Sequence, residues 1–345
     1  MNQNYYNPFQ NQYQIYNPEA VRQLQMEAME EKRCIRRSGN VIGGAILGFL
    51  AVQFVFGLVI GFTGLRDQYL NDPLFSHSLY VFQSLLSVLL PFVVAGMFLK
   101  RNTRTFIPHD PVEKTDLFWY VCVGTGLCMV ANVVTNFFIT FLSMYGIELS
   151  GGSTMEPDGL LSSLMMMVSL AVIPAVCEEI AMRGIVMQSL LKHGKVFAIL
   201  TTAVVFGILH GNLIQAPFAF MVGLVLGFIT VKTNSIIPAV IIHFCNNGLS
   251  ALASVIKLYA GDKVANGIYY MFFLAWVALG IIGLIILIRK LWGVKHSDSV
   301  LGDTKYTNPF ALTTGKKIGT FVGTPTMVIS IVFLVLLTAQ TVHFS

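Results

Sequence analysis

The sequence predicts an all-α protein, a polytopic bundle of about eight or nine transmembrane helices. Three observations carry this reading. Hydrophobic residues make up 55% of the 345 and charged residues only 11%, where a soluble domain carries about 25% charged residues. Mean hydropathy is +0.70. Apolar stretches long enough to cross a hydrocarbon layer of about 30 Å recur along the chain.

Taken in order, residues 1–17 are rich in Asn, Gln and Tyr and read as a low-complexity tail. They lack the basic start and apolar centre of a signal peptide. Residues 18–37 read as a polar helix that ends in Lys32-Arg33 and Arg36-Arg37. Membrane spans are expected at 41–63, 78–99, 117–144, 160–191, 196–213, 216–232, 236–256, 267–288 and 326–344. The fourth exceeds a perpendicular crossing, so it is expected to tilt, to break, or to leave the membrane as an amphipathic helix after Arg183. The short segment 213–217 contains Pro217 and makes a tight hairpin of spans five and six. The chain thus divides into a tail and juxtamembrane helix (1–40), a transmembrane domain (41–290) with a motif core at 160–256, a basic cytoplasmic linker (291–325) and an extra C-terminal transmembrane helix (326–345).

Charge sets the orientation. With the N-terminus in the cytoplasm, 18 of the 22 Lys and Arg fall on inside segments. Only Arg66, Lys257 and Lys263 fall outside, and Arg183 lies within a span. This bias predicts a multi-pass protein of the plasma membrane with a cytoplasmic N-terminus. The net charge of +5 reflects basic loops against an anionic leaflet and is no nucleic-acid signal. The five cysteines are odd in number and form no CxxC, so no disulfide framework is expected. Gly57-xxx-Gly61, Gly207-xxx-Gly211 and Gly223-xxx-Gly227 are read as helix-packing positions.

Three intramembrane polar sets stand out: Glu178-Glu179-x-x-x-Arg183, Phe206-x-x-x-His210, and His243-x-x-x-Asn247 with Asn246 beside it. A charge at the bilayer centre costs roughly 2.5–3.5 kcal/mol on insertion scales, so an ionisable cluster there marks a functional site. Glu178, His210 and His243 lie 14, 15 and 11 residues from Lys192, Lys195 and Lys232. At the helical rise these are depths of about 21, 22 and 16 Å, one layer across three helices. Glu179 and Arg183, four apart, can neutralise each other, as a structural tie or as catalytic support. Glu178 is then a lone carboxylate suited to take a proton from water, with His210 helping to hold that water. His243 and Asn247 offer donors from one face for an oxyanion. Water, base and donors together make a hydrolase. Phe206 is read as packing.

EExxxR, FxxxH and HxxxN, in this order in apolar helices, resemble the motifs of the CAAX prenyl protease and bacteriocin-processing (Abi) family, which includes Rce1-type endopeptidases. The resemblance covers roughly residues 120–256. It implies an intramembrane endopeptidase in which Glu178 activates water with help from His210, and His243 and Asn247 form the oxyanion site. Glu179 and Arg183 match motif positions and take supporting roles. The implied partners are the lipid bilayer and a peptide or lipid-associated protein substrate, with no nucleic acid. A Glu and two His are also zinc-ligand types, but no HExxH is present and Asn247 suits a donor better than a ligand, so a reaction without a required metal is expected. A proton-coupled transporter and a non-catalytic immunity or scaffold protein are the alternative readings. A cysteine protease using Cys177 or Cys245 is disfavoured, because a thiol in hydrocarbon is a poor nucleophile.

Overall fold

The computed structural model describes residues 18–99, 106–152, 154–293 and 308–344. The tail read over 1–17 and the middle of the 291–325 segment lie outside the described residues. The chain is an all-α helical bundle. Helix α1 (Pro18–Phe62) joins the polar juxtamembrane segment and the first span in one 45-residue helix. After short α2 (Arg66–Asn71) comes α3 (Pro73–Phe98). Its start is fixed by Pro73 in the first turn and by Asp72, whose Oδ1 accepts from the Phe75 amide at 3.0 Å, a pairing of Pro and Asp that suits a helix N-terminus. There follow α4 (Lys114–Ser143), β1 (Ile147–Leu149) and α5 (Leu160–His193). The second half holds α6 (Lys195–Leu209), α7 (Ala216–Thr233), α8 (Ile237–Ala260) and α9 (Asp262–Gly293). The end is α10 (Thr314–Val322), α11 (Pro325–Ala339) and β2 (Val342–Phe344).

Seven of these helices are long and apolar enough to cross a membrane, or eight if α10 and α11, bent by 79°, form one broken span. Eight agrees with the eight or nine spans expected, and two of the nine stretches named from the sequence differ from a simple crossing. The stretch 196–213 yields a helix of only 15 residues, because Gly211 turns the chain at a positive φ of 62°. The stretch 326–344 starts at a bend and finishes as a strand. Thr314–Val322, read as linker, is a helix with Phe321 fully buried.

Contacts between helix ends sort the chain onto two faces. On the first, Arg37 on α1 donates to the Phe98 carbonyl at the end of α3, and Lys317 on α10 bonds the His193 carbonyl and Glu31. There too Lys290 on α9 pairs with Asp116 at the start of α4. On the second, β1 pairs with β2 in an antiparallel ribbon. The His77 Nε2 near the start of α3 lies 3.1 Å from the Met155 carbonyl, and Lys257 near the end of α8 reaches Glu156. The chain therefore finishes on the face that carries loop 145–159.

Two apolar cores lie side by side. Ile42, Phe92, Met182, Phe197 and Phe321 belong to one, among α1, α3, α5, α6 and α10. Met129, Leu226 and Ile242 belong to the other, among α4, α7, α8 and α9. Phe54, Phe62, Phe137 and Leu274 point outward and are largely exposed, as lipid-facing side chains are. Small residues set the closest approaches. A Cβ on Gly43 would sit 2.5 Å from the Met327 nitrogen, and one on Gly223 would sit 2.9 Å from the Ala203 Cα, contacts that bilayer helices use because burial of apolar surface does not drive them together. Gly57 and Gly61, read as packing positions, face open space instead.

Candidate active site

The site is built at the seam of the two cores, and its frame is helix α5. This helix stays continuous past Arg183 rather than leaving the bundle: residues Gly184 to Leu190 are all buried. Two wide π turns, over Val168–Val172 and Ile180–Val186, absorb its length, a device frequent at functional sites. The first has a local cause. Pro174 has no N–H, so the carbonyl four residues back, on Leu170, loses its helical donor. Asn247 Nδ2 on α8 supplies one at 3.1 Å. Asn247 Oδ1 in turn accepts from Asn246 Nδ2 at 3.1 Å, which fixes the amide's orientation. One N–H of Asn247 is thus committed to Leu170, and the second remains for a ligand.

The charged centre lies beside this link. Glu179 and Arg183 are both fully buried, and Arg183 Nη1 donates to Glu179 Oε1 at 2.7 Å. The same oxygen lies 2.8 Å from His243 Nδ1. A carboxylate only accepts, so Nδ1 carries the proton and donates. His243 therefore presents Nε2 outward, 3.8 Å from Glu178 Oε2. The Arg183 guanidinium stacks 4.7 Å above the Phe206 ring, a geometry worth up to about 2 kcal/mol when desolvated. Phe206 also meets His210 and His243 edge-on, with centroids 5.1 and 6.2 Å away. The residue read as packing is thus the spacer that holds three functional side chains apart.

Glu178 sits one residue from this pair and faces a different way. Its side chain retains 23% exposure, into a cavity of about 330 Å³ that His210, His243 and Asn247 also line. His210 stands at the end of α6, where its Nδ1 donates to the Phe206 carbonyl at 2.9 Å, leaving Nε2 with a free lone pair. The turn behind it satisfies its own backbone. Asn212 Nδ2 donates to the His210 carbonyl at 2.9 Å, and its Oδ1 accepts from the Gln215 amide at 2.8 Å, as a turn within a membrane must. A second cavity of about 180 Å³ reaches α1 and α3 and shares Tyr80, Glu178, Phe206, His210 and Gln215 with the first. Its far wall includes Gln53, Gln83 and Ser87, and the two glutamines are hydrogen-bonded to each other.

All four residues read as catalytic therefore border one space, and Glu179 and Arg183 lie behind it, outside the cavity lining, with Glu179 bonded to His243 and Arg183 to Glu179. Sequence reasoning passed over Pro174, Tyr80 and Gln215. Pro174 left a signal, a proline inside an expected span. Tyr80 and Gln215 left none, since neither sits in a motif or at a meaningful spacing. Asn246 was noted only as a neighbour, and it is the residue that orients Asn247. Among the described residues no three His, Cys, Asp or Glu side chains converge closely enough to hold a metal ion. All five cysteines are free.

Fold and site together define a polytopic helical membrane protein with a Glu, two His and an Asn gathered within the bundle. Residues 160–249, from the start of α5 to the middle of α8, match the family model described as Rce1-like, type II CAAX prenyl endopeptidase Rce1-like. Residues 160–249 therefore carry a segment similar to the Rce1-like proteases. No curated protein and no solved structure matches it.

Proposed function

We propose that this chain is an intramembrane endopeptidase, which hydrolyses a peptide bond in a membrane-associated peptide or protein tail using water activated by Glu178. One observation carries the reading: Glu178, His210, His243 and Asn247, from three helices, border a single cavity large enough for a peptide segment and a water molecule. The water lies between Glu178 and His210 Nε2, each accepting one of its hydrogens. Glu178 takes a proton as the water oxygen adds to the scissile carbonyl carbon. The carbonyl oxygen becomes an oxyanion, held by the second N–H of Asn247 and by His243 as an imidazolium, which carries a proton on Nε2 as well as the one Nδ1 gives to Glu179. The C–N bond then breaks, and Glu178 returns its proton to the departing amine. Glu179 orients His243, and Arg183 holds Glu179 in place by its hydrogen bond to Oε1. The reaction requires no metal. The protein resides in the plasma membrane with the residues before α1 on the cytoplasmic side, a placement that rests on the distribution of Lys and Arg.

The test compares peptides from membranes holding the wild type and the Glu178→Gln variant at equal abundance. Products present with the wild type and absent with the variant support the assignment; identical peptide sets would overturn it.

A further inference from the structure

The larger of the two cavities at the site extends toward the face of the ribbon β1–β2, and the smaller extends sideways to α1 and α3. Helix α6 is only 15 residues long, about 22 Å, so its turn into α7 stops within the bundle. Loop 145–159 folds down onto that turn, where a Cβ on Gly151 would sit 3.1 Å from Ile214 Cδ1. The loop is anchored there by buried His77, which joins the Met155 carbonyl to Ser169 on α5. The large cavity follows this loop: its wall runs from His243 up α8 through Ser250 to Ser254 and includes Thr154 of the loop. Ser254 lies eleven residues beyond His243, about 16 Å along the helix. In the opposite direction the bundle is closed. Met182, Val186, Met187, Leu190 and Phe197, between the site and the face of His193 and Lys317, are each no more than 1% exposed.

The closed face is the basic one. Among the described residues Arg33, Arg37, Lys192, Lys195, Lys290 and Lys317 lie toward it, and such a bias is the signature of a cytoplasmic side. No Lys or Arg lines either cavity. We infer that the substrate enters from the non-cytoplasmic face, past Thr154 and Ser254, and is a peptide segment or protein tail exposed on the outer side of the membrane. The inference rests on the endopeptidase reading for what is cut, and on cavity geometry and charge for where it comes from. No Lys or Arg stands on the cavity wall, and Lys257 at its outer end is paired with Glu156 at 3.9 Å, so within the cavity the segment is held by hydrogen bonds through its backbone.

The experiment is thiol accessibility in intact cells producing the full chain. Ser254→Cys is treated with a membrane-impermeant, anionic methanethiosulfonate, with the wild type as background and Cys34, beside Arg33 on α1, as the marker of the basic face. The expected result is at least tenfold more label on Ser254→Cys than on the wild type without permeabilisation, while Cys34 reacts only after it. Label on Ser254→Cys that appears only after permeabilisation, together with Cys34, overturns the proposal. Should Ser254→Cys fail to accumulate, Thr154→Cys, on the loop, gives the same two outcomes. Neither readout requires activity, so this inference and the catalytic assignment fail separately: the peptide comparison with Glu178→Gln decides the second alone.

Discussion

His243 Nδ1 stands 2.8 Å from Glu179 Oε1, so the first imidazole of the HxxxN motif is steered by the second glutamate of EExxxR and not by the first. The two adjacent carboxylates thereby divide their tasks: Glu178 faces the cavity, and Glu179 holds the imidazole that borders it. Glu179→Gln replaces the anionic acceptor with an amide shared between Arg183 and His243. Cleavage should fall about 10²-fold, the order lost with one oxyanion donor, with kcat reduced more than KM is raised. A loss below twofold, measured on any substrate from the peptide comparison, would separate His243 from the reaction.

Arg183 is the permanent cation bonded to Glu179. Glu179 is fully buried, its Oε2 has no hydrogen-bond partner, and removal of one member of such a pair is destabilising by about 3–5 kcal/mol. Arg183→Leu should lower the unfolding temperature sharply in detergent. The double variant Glu179→Leu/Arg183→Leu, which leaves neither charge uncompensated, should regain most of that loss. Equal losses in the single and double variants would mean that packing around the guanidinium, including its contact with Phe206, matters more than charge.

The C-terminal pair α10–α11 docks on α1 through glycine. Gly43 leaves room for the Met327 backbone, and Ser330 Oγ donates to the Gly43 carbonyl at 2.9 Å. Gly43→Leu should lever α11 away and make residues 308–344 sensitive to added protease, a change visible as a shortened chain. An unchanged digestion pattern would show that α11 is held by other contacts, such as the β1–β2 ribbon.

Hydropathy made the fold legible, because a membrane helix must be apolar over its whole length, and burial made the charged set legible, because Glu178, Glu179 and Arg183 are costly where they stand. Span ends were less readable. The end of α6 depends on Gly211 at positive φ and on Asn212 capping its own turn, within a stretch that stays apolar enough to suggest a crossing. Contacts between distant helices left almost no trace. Asn247 and Leu170 are 77 residues apart, and their link follows from a missing N–H at Pro174, which is a property of the backbone. Tyr80 and Glu178 line the same two cavities because α3 packs on α5.

Metal independence has its own measurement. Purified active protein treated with a strong chelator and then desalted should retain full cleavage, and added zinc should not raise it. Activity lost on chelation and restored by zinc would replace the Glu178-activated water with a metal-held one.

Pro174 offers the sharpest test of the oxyanion site, because its effect must pass through Asn247. In Pro174→Ala the new N–H competes for the Leu170 carbonyl, so Asn247 loses the bond that holds its amide beside the cavity. Local helix stability should not fall, since a helical hydrogen bond is gained, yet cleavage should drop about tenfold. Asn247→Ala should drop it about 10²-fold, as removal of an oxyanion donor does. Residues in one hydrogen-bond network are non-additive. With Asn247 already truncated, Pro174→Ala should therefore change activity little further. Full additivity of the two losses would show that Pro174 acts by another route, through the path of α5 itself, and that the bond from Asn247 to Leu170 does not set the donor's position.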